Sequence, residues 1–218
     1  MRRALLLDLG GTVFRSGSEM MGIYGEHEPA VRSVVARRGP LGPEPDELWE
    51  AMLREEITER GYWARRCDEI GAALGRDWTM QEFMATLYSL PGEPMMRPEA
   101  AALIADAQAA GVRIGALTND LKAFHGDASM SRDPFIGQLD VLVDGSVTGI
   151  LKPDPRAYAL AVEAMGRPPS EIVFVDDMPW NVAGAEKAGM IALQLDLAHP
   201  ERVFELVREE LELDREAA

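Results

Sequence analysis

Ala4-Leu5-Leu6-Leu7-Asp8-Leu9-Gly10-Gly11-Thr12 is an apolar run that ends on a carboxylate and passes at once into a pair of glycines. Such a run reads as a buried strand that delivers the Asp8 side chain into a tight turn. Three later segments repeat the delivery of a polar group. The strand expected over 112–118 ends on Thr118, Gly149-Ile150-Leu151-Lys152-Pro153 offers an ammonium, and 172–175 runs into Asp176-Asp177. In an open parallel sheet ligands bind outside the carboxyl ends of the strands, so these distant residues are expected to converge.

The intervening pattern predicts an α/β fold with one long interruption. After Phe14-Arg15-Ser16-Gly17 the signals are helical until about residue 96. Pro45-Asp46 precedes apolar Leu48, Met52 and Leu53. Thr58 precedes Tyr62, Trp63, Cys67, Ile70 and Leu74 at helical spacing, and Thr79-Met80-Gln81-Glu82 is a capping box for a third helix through Phe83 and Leu87. The loop Pro91-Gly92-Glu93-Pro94 then returns the chain, and Pro98 opens a helix that stops at Gly111. Further expectations are a helix over 155–165, a strand over 171–175, a helix over about 181–188, a strand over 190–195, and a Glu-rich helix from Glu201. The predicted organisation is therefore a core formed by 1–15 and 96–218, with a helical insertion over 16–95.

Composition narrows the function classes. With 218 residues, 47% of them hydrophobic, the chain can bury a sizeable core. A formal charge of −15 and a pI near 4.6 leave no basic stripe for nucleic acid or an anionic membrane. The single cysteine, Cys67, excludes an internal disulfide, and no apolar run approaches the ~20 residues that cross a bilayer. The apolar part of the Met1-Arg2-Arg3 start is shorter than the ~7–15 residues of a signal region. A cytoplasmic protein acting on a small substrate, rather than on nucleic acid or at a membrane, is the expectation, and oligomeric state is left open.

Read singly, each motif has a structural explanation. Asp8 serves as a strand-ending turn former, Asp176-Asp177 as a helix N-cap, Lys152 as a solvated loop charge and Thr118-Asn119 as a plain strand exit. His27, His125 and His199 lack metal-ligand spacing and read as surface or loop residues. Met80, Met84, Met95 and Met96, with Trp49 and Trp63, read as packing within the insertion, while Trp180 either borders a site or packs. Only three lysines, at 122, 152 and 187, stand against nineteen arginines.

Taken in order, Asp8-Leu9-Gly10-Gly11-Thr12, Leu117-Thr118-Asn119, Lys152-Pro153-Asp154-Pro155 and Val175-Asp176-Asp177 with Asn181 resemble the four motifs of the haloacid dehalogenase superfamily, most of whose members are phosphatases. The resemblance implies a Rossmann-like parallel sheet with a helical cap inserted after the first strand, closing over the site and choosing the substrate. It implies that Asp8 attacks phosphorus, with Thr118 and Lys152 completing the catalytic set. The amides of Gly10, Gly11, Thr12 and Asn119 would hold phosphoryl oxygens. Mg²⁺ would be bound by Asp8, the Gly10 carbonyl and Asp177, with Asp176 direct or one shell out. The substrate class would be a small phosphorylated metabolite. Arg15, His27, Arg54, Arg65 and Arg66 are the residues available to face it, and their periodicity points to no particular one.

One departure stands out. The superfamily commonly carries a second aspartate two residues after the nucleophile, as acid and base, and here that position is Gly10. Two alternatives follow: a catalytically weak member that binds phosphorylated ligands or protein partners, and a metal-independent 2-haloacid dehalogenase. Asp176-Asp177 argues against the latter, because carbon–halogen displacement needs no divalent ion and paired acids repel a carboxylate substrate.

Overall fold

The computed structural model describes residues 3–92, 94–130 and 134–213, with backbone alone for 127–130. Met1, Arg2, Glu93 of the returning loop and the end of the Glu-rich segment lie outside the described residues. The chain divides into two compact units, Met1–Arg15 with Pro94–Ala218, and Ser16–Glu93.

The first unit is built on β1 (Ala4–Leu7), α6 (Pro98–Ala109), β2 (Ile114–Thr118), α7 (Leu121–Met130), β3 (Val141–Asp144), α8 (Gly145–Thr148), α9 (Pro155–Met165), β4 (Ile172–Asp176), α10 (Pro179–Lys187), β5 (Ile191–Gln194) and α11 (Pro200–Glu210), numbering the helices of the second unit α1 to α5. The strands form one parallel sheet in the order β3-β2-β1-β4-β5, which puts β1 at its centre. That place explains why its four residues are all apolar. Leu5 and Leu7 face a layer containing Leu103 and Ala107 of α6 and Phe204 and Val207 of α11, whereas Ala4 and Leu6 face Tyr158 and Ala161 of α9 and Ala185 of α10. Helices on both faces leave a central strand no polar side.

The second unit comprises α1 (Gly17–His27), α2 (Arg32–Val35), α3 (Glu47–Leu53), α4 (Glu59–Leu74) and α5 (Met80–Leu87). Its helix starts follow the expected chemistry. Asp46 accepts the amides of Leu48 and Trp49, Thr58 caps α4, and Thr79 and Glu82 exchange both bonds of a capping box. Asp46 also accepts Tyr62 Oη at 2.9 Å and the Gly39 amide at 2.7 Å, and it is ion-paired with Arg66. Arg66 is thereby buried as a structural partner of Asp46, which takes it out of the five residues available to face a substrate.

The structure makes three more corrections. β3 and α8 were not anticipated, and the loop that carries Lys152 runs between α8 and α9. Met95 and Met96 pack against the cluster around Leu5 and Leu7, so they belong to the sheet unit and not to the insertion. His125 sits half-buried on α7, where burial holds its pKa below the usual imidazole value. No helix among the described residues is long and apolar enough to cross a membrane.

Candidate active site

The carboxyl ends of the central strands carry the acids. Asp8 follows β1 directly, and its amide donates to the Val175 carbonyl at 2.9 Å, which ties the exit of β1 to β4. Because Leu7 pairs with Val175 and with Ala116, Asp8 stands level with Asp176 on one side and one residue before Thr118 on the other. The parallel register thus gathers three of the expected residues.

Lys152 completes the group. Its Nζ lies 2.7 Å from Asp8 Oδ1 and 2.5 Å from Asp176 Oδ2, with the Phe174 ring centroid 5.6 Å away. The lysine is only 4% exposed, so it is no solvated loop charge. Burial opposes its charge, yet Asp176 and Asp8 outweigh that cost and hold the ammonium above its ordinary pKa. Asp8 experiences the opposite balance. Burial pushes its carboxyl up to about 7, the ammonium lowers it, and Asp176 raises it again, because one cation serves two buried acids.

Asp176 is saturated by protein donors. Its Oδ1 accepts the Met178 amide at 2.9 Å, and Asn181 Nδ2 lies 3.0 and 3.1 Å from its two oxygens. The Asn181 carbonyl in turn accepts Tyr158 Oη at 2.8 Å. A buried chain therefore runs from Tyr158 through Asn181, Asp176 and Lys152 to Asp8. Asp144, the acid ending β3, shows the contrasting case: its carboxylate accepts the Ser146 amide in its own turn and the Lys122 amide at the start of α7.

Asp177 packs directly against a glycine. Gly11 adopts φ +88°, and a Cβ built on it would fall 2.4 Å from Asp177 Oδ2. Asp8, Asp176 and Asp177 each bring one carboxylate oxygen within 4.8 Å of the others. Thr12 is buried in the same turn, and its Oγ1 has no hydrogen-bond partner among the described residues. Gly10 is exposed and open, with nothing within 4 Å of an added Cβ.

Two positions carry more than the motifs suggested. Arg97, 4% exposed at the start of α6, grips the Gly11 carbonyl with Nε at 3.2 Å and Nη2 at 3.0 Å. Nothing in its sequence context marked it beyond the neighbouring Pro98. Asn119, expected to act through its amide, turns its side chain to the main chain of Lys152.

The family model described as haloacid dehalogenase-like hydrolase matches residues 2–189. The chain belongs to the haloacid dehalogenase-like hydrolases. Within that family it is 31% identical over 175 residues to the phosphoserine phosphatase of Thermus thermophilus, covering 77% of this chain and 59% of that protein. It is 28% identical over 198 residues to (S)-2-haloacid dehalogenase 4A of Burkholderia cepacia, covering 88% and 78%. The chain also spans 18% of mouse acyl-CoA dehydrogenase family member 10, at 29% identity, so it covers less than two thirds of the first curated relatives it matches. A dehalogenase crystal structure superposes with a TM-score of 0.60 at 22% identity, over 89% of this chain and 85% of that one, which shows a shared fold. This haloacid dehalogenase-like hydrolase thus has both phosphatases and dehalogenases among its relatives.

Proposed function

We propose that this hydrolase is a Mg²⁺-dependent phosphatase acting on a small phosphorylated metabolite through an aspartyl-phosphate on Asp8. The observation that carries the reading is the third acid. Asp8 and Asp176 share one ammonium, and Asp177, held against Gly11, adds a carboxylate whose oxygen lies within 4.8 Å of both. Three clustered acids beside one lysine suit a hard divalent cation, and every donor in the cluster is oxygen. Asp8, Asp177 and the Gly10 carbonyl are the ligands we assign. Asp176, whose oxygens already receive Lys152, Met178 and Asn181, holds the lysine. Bound there, Mg²⁺ offsets the repulsion between a carboxylate and a phosphate dianion and polarises the phosphoryl oxygens.

The residues then divide the work. An Asp8 carboxylate oxygen attacks phosphorus as the P–O bond to the leaving group breaks. Lys152 neutralises the approaching charge, and Thr118 with the amides of Gly11, Thr12 and Asn119 cradles the transferred oxygens. Water next attacks phosphorus, which releases inorganic phosphate and returns the Asp8 carboxylate. We read Ser16–Glu93 as the superfamily's helical cap, the unit that selects the substrate.

The resemblance to (S)-2-haloacid dehalogenase 4A favours a second reading, in which Asp8 attacks carbon and no metal is needed. Hydrolysis of p-nitrophenyl phosphate with Mg²⁺, abolished by EDTA and unaccompanied by chloride release from 2-chloropropionate, is the expected outcome. Chloride release that survives EDTA would overturn the proposal.

A further inference from the structure

Lys152 stands on no strand, yet its ammonium is fixed between Asp8 and Asp176 at 2.7 and 2.5 Å. A loop main chain needs an anchor to aim a long, flexible side chain so closely, since each of its bonds rotates. Asn119 provides one. Its Oδ1 accepts the Lys152 amide at 2.7 Å, and its Nδ2 donates to the Lys152 carbonyl at 3.2 Å. One planar amide thus pairs with both polar groups of a single residue, much as a neighbouring strand would. Asn119 is itself well placed to do so, because it directly follows Thr118, which pairs in register with Asp144. The clamp therefore refers the position of Lys152 to the end of the sheet.

We infer that Asn119 is a positioning residue for Lys152: its side chain sets where the ammonium stands relative to Asp8. The inference rests on the proposed roles of Asp8 and Lys152. It goes beyond a cradling part for the Asn119 amide, because it assigns the side chain a separate duty. Aspartate at 119 keeps an acceptor for the Lys152 amide but sets a carboxylate against the Lys152 carbonyl, so charge cannot substitute for the amide.

A double-mutant cycle tests it, using p-nitrophenyl phosphate with Mg²⁺. Asn119→Ala is expected to lower kcat by about tenfold to a hundredfold in the wild-type background and by less than about threefold in Lys152→Ala, as directly coupled neighbours do. Equal losses in both backgrounds would overturn the inference, since Asn119 would then act without Lys152. A second readout needs no turnover. The buried Lys152 ammonium should give a slowly exchanging ¹H–¹⁵N signal, absent in Lys152→Ala, broadened in Asn119→Ala and retained in Thr148→Ala. An unchanged signal in Asn119→Ala would overturn positioning whatever the kinetics, and Asn119→Ser replaces alanine if that variant does not fold. If the protein releases chloride from 2-chloropropionate and leaves p-nitrophenyl phosphate intact, the phosphatase reading fails, while the same cycle on that substrate still decides the role of Asn119.

Discussion

Gly11 and Asp177 approach each other so closely that a Cβ on the glycine would lie 2.4 Å from Asp177 Oδ2 and 2.6 Å from its Cγ. The same residue sits at φ +88°, where side chains are strained. Gly11→Ala is therefore expected to push Asp177 away from Asp8, lowering kcat/KM by roughly 100-fold and removing the thermal stabilisation given by Mg²⁺. Melting curves with and without Mg²⁺, beside steady-state kinetics, check both effects. A variant that still gains stability from Mg²⁺ would show that Asp177 is no ligand.

Arg97 should matter from behind the site. Its guanidinium forks onto the Gly11 carbonyl, and its own amide donates to the Val13 carbonyl at 2.9 Å, so the turn after Asp8 is held at two points. Arg97→Ala leaves a buried carbonyl without those donors and should cost about 2–3 kcal/mol in urea unfolding. Arg97→Lys cannot reproduce the fork and should recover only part of that loss. Full recovery by lysine would mean that charge alone matters there.

Stability without metal should depend on pH in a defined direction. The Asp8 carboxyl is raised to about 7, above the ~3.9 of an unfolded chain, so folding favours its neutral form. That contribution is complete below about pH 4 and is lost as pH rises through about 7, while Lys152 stays charged throughout. Asp8→Asn is permanently neutral and escapes the loss. In EDTA its stability relative to wild type should therefore grow between about pH 5 and about pH 8, and an advantage independent of pH would contradict this.

Gly10 makes a kinetic prediction. It lies outside the left-handed region and a Cβ there meets nothing within 4 Å, so Gly10→Asp is sterically open. With a bare glycine at this position the wild-type rate should fall steeply as the leaving group becomes more basic, favouring p-nitrophenyl phosphate over alkyl phosphates. Gly10→Asp supplies a carboxyl for proton transfer and should flatten that slope, by up to about 10²–10⁴-fold for alkyl phosphates. A wild-type series already insensitive to leaving-group acidity would show that another group provides the proton.

The parts of the fold that were legible in the sequence are those where one local rule dominates. The unbroken apolar run of β1, the Thr79 capping box and the Pro155 start of α9 each announce themselves. β3 did not, because it is a four-residue edge strand with Leu142 exposed, and short edge strands lack the burial that writes a pattern. In the site, Asp8, Thr118 and the acidic pair were visible as polar groups at strand ends. Lys152 was visible only through the ordered motif set, since a lysine in a loop is ordinarily solvated. The grips of Arg97 on Gly11 and of Asn119 on Lys152 span 86 and 33 residues and obey no periodicity, so only the folded chain reveals them. The burial of Arg66 against Asp46, twenty residues away, was hidden for the same reason.

Turnover in ¹⁸O-labelled water tests whether Asp8 attacks phosphorus and water then attacks phosphorus too. Heavy oxygen is expected in the released phosphate and none in the peptide that contains Asp8. Heavy oxygen in the Asp8 carboxylate after turnover would contradict this, because water would then be attacking the carboxyl carbon of an ester formed by displacement at a carbon substrate.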